Sequence, residues 1–346
     1  MSVISLKRLR RILLDEDPES SLAVDFVDYP HDSANTEQAW FALAALAVLL
    51  LSLLASMEII IQDIVTEDSA MPLSQSVATE RTIIRQKDKR MGNDLVSIIM
   101  LSRNRAEFVA ESVRSVQAQT YTNWELLFVD DNSTDDTIHQ MMELKGKDKR
   151  ISVLTSVYDK GTAYLRNSAL KEARGRWMAF LDVGDVWAPD KLERQIRFME
   201  EHGYAFSYTK YGLMNLQSQD RGVVVGGKAH VDYREMRKCC WPAYLTVMYD
   251  AEKIGRMLTR SQGANNDYAL WLNVCERADC HLLDECLATM RTPWGLLGKL
   301  LLTQKFKWRY DSFRVEEDLG PVKALLYTIR NGFYGLVKWM KYVNRL

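Results

Sequence analysis

Two pairs of acidic residues follow short apolar segments, and they are the residues in this chain best suited to chemistry. Asp130 and Asp131 follow the segment Trp124–Val129, and Asp182 and Asp185 follow a second segment of the same kind. Apolar segments of this length, bounded by polar residues, are typical of buried strands. In an open α/β sheet the carboxyl ends of the strands meet at one edge, where ligands bind. We therefore expect both acid pairs at one edge of a sheet.

Carboxylates gathered in this way suit a hard divalent cation. Mg²⁺ or Mn²⁺ takes one or two protein carboxylates and completes its shell with water and substrate phosphate oxygens. The candidates for metal ligands are Asp182 and Asp185, and the metal would neutralise the charge that develops on a phosphate leaving group. The alternative is that either acid pair only caps the helix that follows it.

Strand-length apolar segments alternate with helical patterns from residue 95 onward. The apolar segments begin at Leu95, Trp124, Ile151 and Trp177, and a helical pattern stands between each segment and the next. Strands that alternate with helices form βαβ units with parallel strands. The sequence therefore predicts an α/β fold with a mostly parallel, Rossmann-like sheet that helices cover on both faces.

Composition limits the range of functions. The chain has 346 residues, of which 47% are hydrophobic and 26% are charged, so it can form a large core. A net charge of −1 provides no overall attraction to nucleic acid, and we expect no nucleic-acid partner. The five cysteines form no CxxC pair, which favours free thiols in a reducing compartment. A zinc site built from Cys275, Cys280, His281 and Cys286 would have an unfamiliar spacing.

Changes in composition divide the chain into five segments. They are a polar tail (1–38), an apolar segment (39–65), a polar linker (66–93), a globular α/β domain (94–291) and C-terminal helices (292–346). The stretch Ala39–Met57 carries no charge and has about the length of a helix that spans a bilayer. The alternative is a long buried or oligomerising helix. A second start of translation at Met91 would yield the soluble part alone.

Basic and aromatic residues alternate along the C-terminal segment, residues 292–346. Helices of this composition suit an anionic membrane surface, because long basic side chains and aromatic rings both sit well at the boundary of lipid and water. The alternative is ordinary packing against the α/β domain, with the basic residues in solvent.

Several motifs, in order and spacing, resemble those of the family 2 glycosyltransferases of the GT-A fold. They are S-I-I-M-L-S-R-N-R-A-E-F, Q-T-Y-T-N-W-E-L-L-F-V-D-D-N-S-T-D-D-T and R-N-S-A-L-K-E-A-R-G-R-W-M-A-F-L-D, within a match from about Leu95 to Arg291. The later motifs Y-A-F-S-Y-T-K-Y and N-D-Y-A-L-W-L are similar to those of bacterial enzymes that build lipopolysaccharide and capsule. The resemblance implies an inverting glycosyltransferase that moves a sugar from a nucleotide-sugar donor to a surface-glycan or lipid-linked acceptor. The apolar stretch Ala39–Met57 and the basic-aromatic C-terminal segment add the expectation of a membrane-associated enzyme, with catalysis at the cytoplasmic face of the inner cell membrane.

The same resemblance implies a set of residues that contact the nucleotide sugar. They are Ser102, Arg103, Asp130, Asp131, Arg166, Asn167 and Asp182. Arg166 suits a phosphate, which its planar guanidinium can bind through two hydrogen bonds. The catalytic base of inverting members would be Asp267, which starts a predicted helix.

Three positions depart from the family pattern. Gly184 stands where the D-x-D element usually has the carboxylate that touches the metal, so a neighbouring acid replaces it or metal dependence is weak. The tyrosine that stacks on the base in the family is absent, and the guanidinium plane of Arg103 could take over this stacking. The residue before Asp267 is Asn266, not an acid, so Asp267 is the only candidate for the base there.

Three other functions fit parts of the pattern. A metal-independent or inactive relative would bind a nucleotide sugar, and Gly184 motivates this alternative. A nucleotidyltransferase shares the α/β sheet and the acid pairs, but it would need a glycine-rich loop with a lysine after the first strand, which Ser102–Glu107 does not supply. A non-enzymatic membrane scaffold would bind no nucleoside diphosphate.

Overall fold

The computed structural model describes residues 94–155, 162–259, 267–292 and 303–345. The predicted polar tail, apolar helix and linker (1–93) lie outside these residues. Among the described residues, no helix combines the length and the apolar character that a bilayer crossing requires.

The first half of the domain is built from βαβ units. Its elements are β1 (Val96–Ser102), α1 (Ala106–Gln117), β2 (Trp124–Asp130), α2 (Thr137–Lys147), β3 (Ile151–Thr155), α3 (Thr162–Glu172) and β4 (Trp177–Phe180). The four strands are parallel, in the order β4-β1-β2-β3. Ser102 at the end of β1 pairs with Asp130 at the end of β2, so the carboxyl ends of these strands are level.

The second half of the domain adds short strands and the remaining helices. They are β5 (Val186–Trp187), α4 (Lys191–His202), β6 (Phe206–Met214), β7 (Asp220–Val225), β8 (His230–Val231), α5 (Tyr233–Lys238), a 3₁₀ turn (Tyr244–Thr246), β9 (Met248–Asp250), α6 (Ala251–Ile254), α7 (Asp267–Cys275), β10 (Cys280–Arg291), α8 (Thr303–Val315), α9 (Pro321–Tyr342) and β11 (Val343–Arg345). Strand β9 joins β4 to β6, and it is antiparallel to both.

The complete sheet is mixed, and the prediction of a mostly parallel sheet is wrong beyond β4. Strands β7 and β11 extend the sheet by antiparallel pairing, while the long strand β10 lies parallel to β6 and antiparallel to β5 and β8. The connection between β6 and β7 explains their antiparallel pairing. It is a tight turn, and a tight turn can join only antiparallel neighbours. The coarser prediction of a Rossmann-like α/β sheet is confirmed.

Helices cover both faces of the sheet, as the sequence predicted. Side chains of β1 alternate between the two cores, with Ile99 and Leu101 in one and Ile98 and Met100 in the other. Helices α3, α7 and α9 contribute to the first core, and α1, α2 and α4 to the second. The alternation follows from the two-residue period of a strand, and burial on both faces explains why β1 is apolar along almost its whole length.

The buried side chain of Lys191 lowers the stability of the folded chain. Lys191 at the start of α4 is fully buried, its Nζ lies 4.0 Å from the centre of the Trp187 ring, and it has no hydrogen-bond partner among the described residues. Burial lowers the pKa of Lys191 well below its ordinary value. The folded chain therefore disfavours the lysine proton that the unfolded chain holds at neutral pH, and stability rises with pH until the unfolded lysine also loses its proton.

We expect Lys191→Met to raise the free energy of unfolding at pH 7 by about 1–3 kcal/mol, because it removes a buried polar group without a partner. Denaturant unfolding measures the change. Lys171→Met, at an exposed position of α3, is the control and should change stability by less than about 0.5 kcal/mol. Equal stability of the Lys191 variant and the wild type would show that the ammonium group is solvated.

Candidate active site at the carboxyl edge of the sheet

Backbone hydrogen bonds join the segments after β2 and β4 to the end of β1. The Asp131 amide donates to the Ser102 carbonyl at 2.9 Å, and the Val183 amide donates to the Leu101 carbonyl at 3.1 Å. The two predicted acid pairs therefore lie at the same edge of the sheet, on either side of β1.

The two acids after β2 have different surroundings. The carboxylate of Asp130 accepts hydrogen bonds from the Ser133 amide at 2.8 Å and the Ser133 hydroxyl at 2.6 Å, so it shapes its own turn. Asp131 lies 3.5 Å from the guanidinium of Arg103 through Oδ2. Its Oδ1 and the Ser102 hydroxyl are buried, and neither has a hydrogen-bond partner among the described residues. Buried polar atoms are normally bonded, so these two atoms suit a polar ligand.

A partly buried ion pair joins two predicted residues that lie far apart in the sequence. Arg166 of α3 is fully buried, and its Nη2 donates to Oδ1 of Asp267, the first residue of α7, at 2.6 Å. The guanidinium carbon also lies 4.9 Å from the centre of the Tyr244 ring. Burial alone would lower the pKa of Arg166, but Tyr244, Asp267 and Asp182 together raise it. Arg166 is therefore a permanent cation at this edge of the sheet.

Asp182 interacts electrostatically with both members of this pair, and the pKa of its carboxyl group is strongly shifted. Its Oδ1 is buried and has no hydrogen-bond partner among the described residues. Burial and then the charge of Asp267 raise its pKa well above the ordinary value, although Arg166 opposes the shift. A second cation would relieve the repulsion between Asp182 and Asp267, so Asp182 fits one ligand of a bound metal.

The raised pKa of Asp182 makes stability dependent on pH. The folded chain keeps a proton on this carboxyl group at pH values where the unfolded chain has released it, so stability declines as pH rises from 3.8 to the raised pKa. We expect Asp182→Asn to remove this decline and to raise the free energy of unfolding at pH 8 by about 1–3 kcal/mol. Thermal unfolding between pH 4 and pH 8 measures the effect, with the exposed Asp284→Asn as the control. A variant less stable than the wild type at pH 8 would show that the folded protein favours the charged form of Asp182.

Arg291 at the end of β10 holds the turn from Asp182 to Asp185. Its amide donates to the Asp185 carboxylate at 2.8 Å, its Nε donates to the Gly184 carbonyl at 2.8 Å, and its Nη2 pairs with Glu111 at 2.5 Å. Gly184 has a φ of 111°, which a residue with a side chain adopts only under strain. No local pattern in the sequence indicated a role for Arg291, because its partners lie on distant segments.

We expect Arg291→Gln to weaken binding of the donor or metal at this turn by about tenfold or more, because supporting contacts orient the groups that bind directly. Titration of the nucleotide and of Mn²⁺ separately measures the loss. Arg221→Gln is the matched control, since Arg221 is exposed and donates to the Thr292 carbonyl near the same strand end. The assignment fails if the two variants bind equally well.

Asn167, predicted to contact the nucleotide, is hydrogen-bonded to the backbone of Thr259. Its Nδ2 donates to the Thr259 carbonyl at 2.8 Å, and its Oδ1 accepts from the Thr259 amide at 3.1 Å. It fixes the chain just before the segment 260–266, which lies outside the described residues and leads to Asp267. Trp271 and Trp241 are buried in the core.

A metal site is not preformed among the described residues, where no three His, Cys, Asp or Glu side chains are arranged to hold an ion. This includes the four-residue zinc site considered from the sequence. Asp182 supplies one suitable oxygen, whereas one oxygen of Asp185 accepts the Arg291 amide. A cation in this site would therefore depend on donor phosphate and water for most of its ligands.

The fold matches that of a solved protein structure that contains a nucleotide sugar. The crystal structure of Staphylococcus aureus TarS 1–349 in complex with UDP-GlcNAc superimposes with a TM-score of 0.52 at 17% identity, over 71% of this chain and 74% of that chain. At this identity the similarity shows a shared α/β fold of the GT-A type.

Sequence comparison identifies the family. The profile of glycosyl transferase family 2 matches residues 97–223. The chain is 40% identical over 250 residues to WfgD of Escherichia coli, a UDP-Glc:α-D-GlcNAc-diphosphoundecaprenol β-1,3-glucosyltransferase, covering 72% of this chain and 96% of WfgD. It is 37% identical over 188 residues to WfaP of E. coli, described by the same activity, covering 53% of this chain and 71% of WfaP.

The chain belongs to glycosyltransferase family 2. It is therefore a glycosyltransferase, as the motifs predicted. The nucleotidyltransferase and scaffold alternatives are therefore wrong.

Proposed function

We propose that this enzyme transfers a hexose from a UDP-sugar to a sugar linked through diphosphate to a membrane lipid, with inversion at the anomeric carbon. The observation that carries the proposal is the ion pair between the buried Arg166 and the partly buried Asp267, beside Asp182 at the carboxyl edge of the sheet. WfgD and WfaP support the choice of substrates, since both are described as using UDP-glucose and a GlcNAc-diphosphate-lipid. An acceptor of this kind would place the enzyme at the cytoplasmic face of the cell membrane.

Asp267 is the proposed general base. The ion pair with Arg166 holds it as a carboxylate, which is the form that accepts a proton. It takes the proton of the acceptor hydroxyl as that oxygen attacks the anomeric carbon of the donor sugar. The bond from that carbon to the diphosphate oxygen breaks, and UDP leaves from the opposite face with the bonding electron pair. One bond forms and one breaks at the same carbon, so the configuration inverts.

Arg166 is the proposed electrostatic stabiliser of the leaving diphosphate. It is already buried and charged, so it needs little reorganisation when negative charge develops on the phosphate. Mg²⁺ or Mn²⁺ bound by Asp182 would supply further positive charge to the diphosphate. Because Gly184 offers no carboxylate and Asp185 is partly engaged by Arg291, we propose a weakly held metal.

The nucleotide itself would contact the other side of β1. Asp131 and Ser102 have buried polar atoms without partners, and Arg103 is half exposed beside them. These atoms suit the base and the ribose hydroxyls, which offer both donors and acceptors. Asp130 and Asn167 would act less directly, by shaping the turn after β2 and the chain before residue 260.

The test is a transfer assay with purified full-length enzyme, a panel of radiolabelled UDP-sugars and a synthetic GlcNAc-α-diphosphate-lipid, with and without Mn²⁺. We expect one UDP-sugar to be used, and NMR of the product to show the inverted anomer. UDP-sugar binding by calorimetry without transfer to any acceptor would favour the inactive relative. A product with retained configuration would exclude Asp267 as the base.

A further inference from the structure

Helix α9 carries an apolar stripe on its outer side. Val322, Leu326, Phe333 and Met340 are between 52% and 67% exposed. Their spacings of four, seven and seven residues place them on one face of the helix, which is 22 residues and therefore about 33 Å long. Large apolar side chains in a continuous row are rarely left in water, so this stripe (Val322, Leu326, Phe333 and Met340) marks a contact surface.

The charges on α9 all have the same sign. The helix contains no aspartate or glutamate, and its charged residues are Lys323, Arg330, Lys338 and Lys341. On a helical projection Lys323, Arg330 and Lys341 lie along one border of the stripe, and Lys323 and Lys341 are exposed. A row of apolar residues bordered by basic ones is the arrangement of helices that lie in the surface of an anionic membrane.

The opposite side of α9 is firmly bound to the catalytic domain. Ala324 and Leu336 are buried there, and Asn331 donates to the Tyr268 hydroxyl at 3.0 Å. Lys338 donates from Nζ to the carbonyls of Cys240 at 3.2 Å and Trp241 at 2.5 Å. Since its inner side already has partners, α9 presents the stripe in a fixed orientation.

We propose that the outer face of α9 docks on an anionic phospholipid bilayer, with the stripe among the acyl chains and Lys323 and Lys341 at the headgroups. A second copy of the chain fits less well, because pairing two stripes would bring like charges together. The bilayer offers both complements at once, an apolar interior and a negative surface.

The docked helix would bring the base close to the lipid surface. Asn331 of α9 is bonded to Tyr268, which is the neighbour of Asp267 in α7. The inference deepens the proposed use of a lipid-linked acceptor, since it gives that acceptor a defined route to the site. It rests on contacts of α9 alone and can be tested without any sugar transfer.

The test uses the photoreactive substitution Phe333→benzoylphenylalanine in the full-length protein, reconstituted into vesicles with about one third phosphatidylglycerol. Met142→benzoylphenylalanine is the matched control, because Met142 is 50% exposed but is the one large apolar side chain exposed on α2, so it belongs to no apolar stripe. After irradiation, mass spectrometry identifies what each probe has captured. We expect phospholipid adducts at position 333 to exceed those at position 142 by about tenfold or more.

Three other results would overturn the proposal. They are a cross-linked dimer, an adduct within the chain to the apolar segment 39–65, and equal lipid capture at the two positions. A second measurement addresses the charges: Lys323→Gln and Lys341→Gln should each lower lipid capture at position 333 about fivefold in anionic vesicles. Neither should change capture in neutral phosphatidylcholine vesicles, and an equal change there would remove the electrostatic part of the proposal.

Discussion

Asp267→Asn is expected to reduce the rate of sugar transfer by about 10³-fold while leaving UDP binding within about threefold of the wild type. The amide keeps the shape of the carboxylate and can still contact Arg166, but it cannot take the proton of the acceptor hydroxyl. The loss corresponds to about 4 kcal/mol of transition-state stabilisation. Single-turnover transfer assays and calorimetry with UDP separate the two effects.

Two control experiments test this interpretation. Asp279→Asn removes an exposed carboxylate that pairs with His230 just after α7, and it should leave the rate unchanged. Circular dichroism and UDP binding show whether the Asp267 variant is folded. Full transfer activity in a folded Asp267→Asn protein would rule out Asp267 as the base. The base would then have to be an acid that does not contact Arg166.

Arg166→Met is expected to lower the free energy of unfolding by about 3–5 kcal/mol, since it leaves a partly buried carboxylate without its cation. Asp267 and Asp182 would then face each other with no charge between them, and the packing of the guanidinium against Tyr244 would be lost. Denaturant unfolding measures the loss. Any protein that remains folded should also bind UDP-sugar more weakly, because the proposed phosphate contact is missing.

A double-mutant cycle separates the ion pair from simple loss of packing. If Arg166 acts through Asp267, the Arg166→Met and Asp267→Asn changes should couple by at least about 1 kcal/mol in unfolding free energy. Arg166→Lys keeps the charge and should retain more stability than Arg166→Met. Additive effects in the cycle, with no advantage for lysine, would mean that Arg166 contributes only by filling space.

The first half of the fold could be predicted closely from the sequence. Strands β1 to β4 and the helices between them begin and end within a few residues of the predicted bounds, because apolar runs and turn residues are local signals. The position of the acid pairs followed as well, since parallel strands bring their carboxyl ends to one edge. The contact between Arg166 and Asp267 joins residues 101 positions apart, and the sequence did not predict it, although the family pattern had named each residue separately.

The second half could not be predicted, because its order depends on non-local pairing. Nothing local to β9 shows that it joins β4 to β6. The sequence also could not divide the polar residues into those that bind ligand and those that support the fold. Asp130 and Asn167 suit a nucleotide by type, yet their side chains bond to Ser133 and Thr259. An aspartate or asparagine satisfies a turn as readily as it binds a ligand.

Strand β11 covers part of the outer side of β7, although it has only three residues. It follows α9 directly and pairs with β7, and the Gly226 amide donates to the Tyr342 carbonyl at 2.8 Å. Without residues 343–345, the outer side of β7 would present open amide and carbonyl groups that invite pairing with another polypeptide. Because β11 has only three residues and is itself the edge strand, it replaces part of the longer edge of β7 with a short one, and deletion of residues 343–345 is expected to favour self-association.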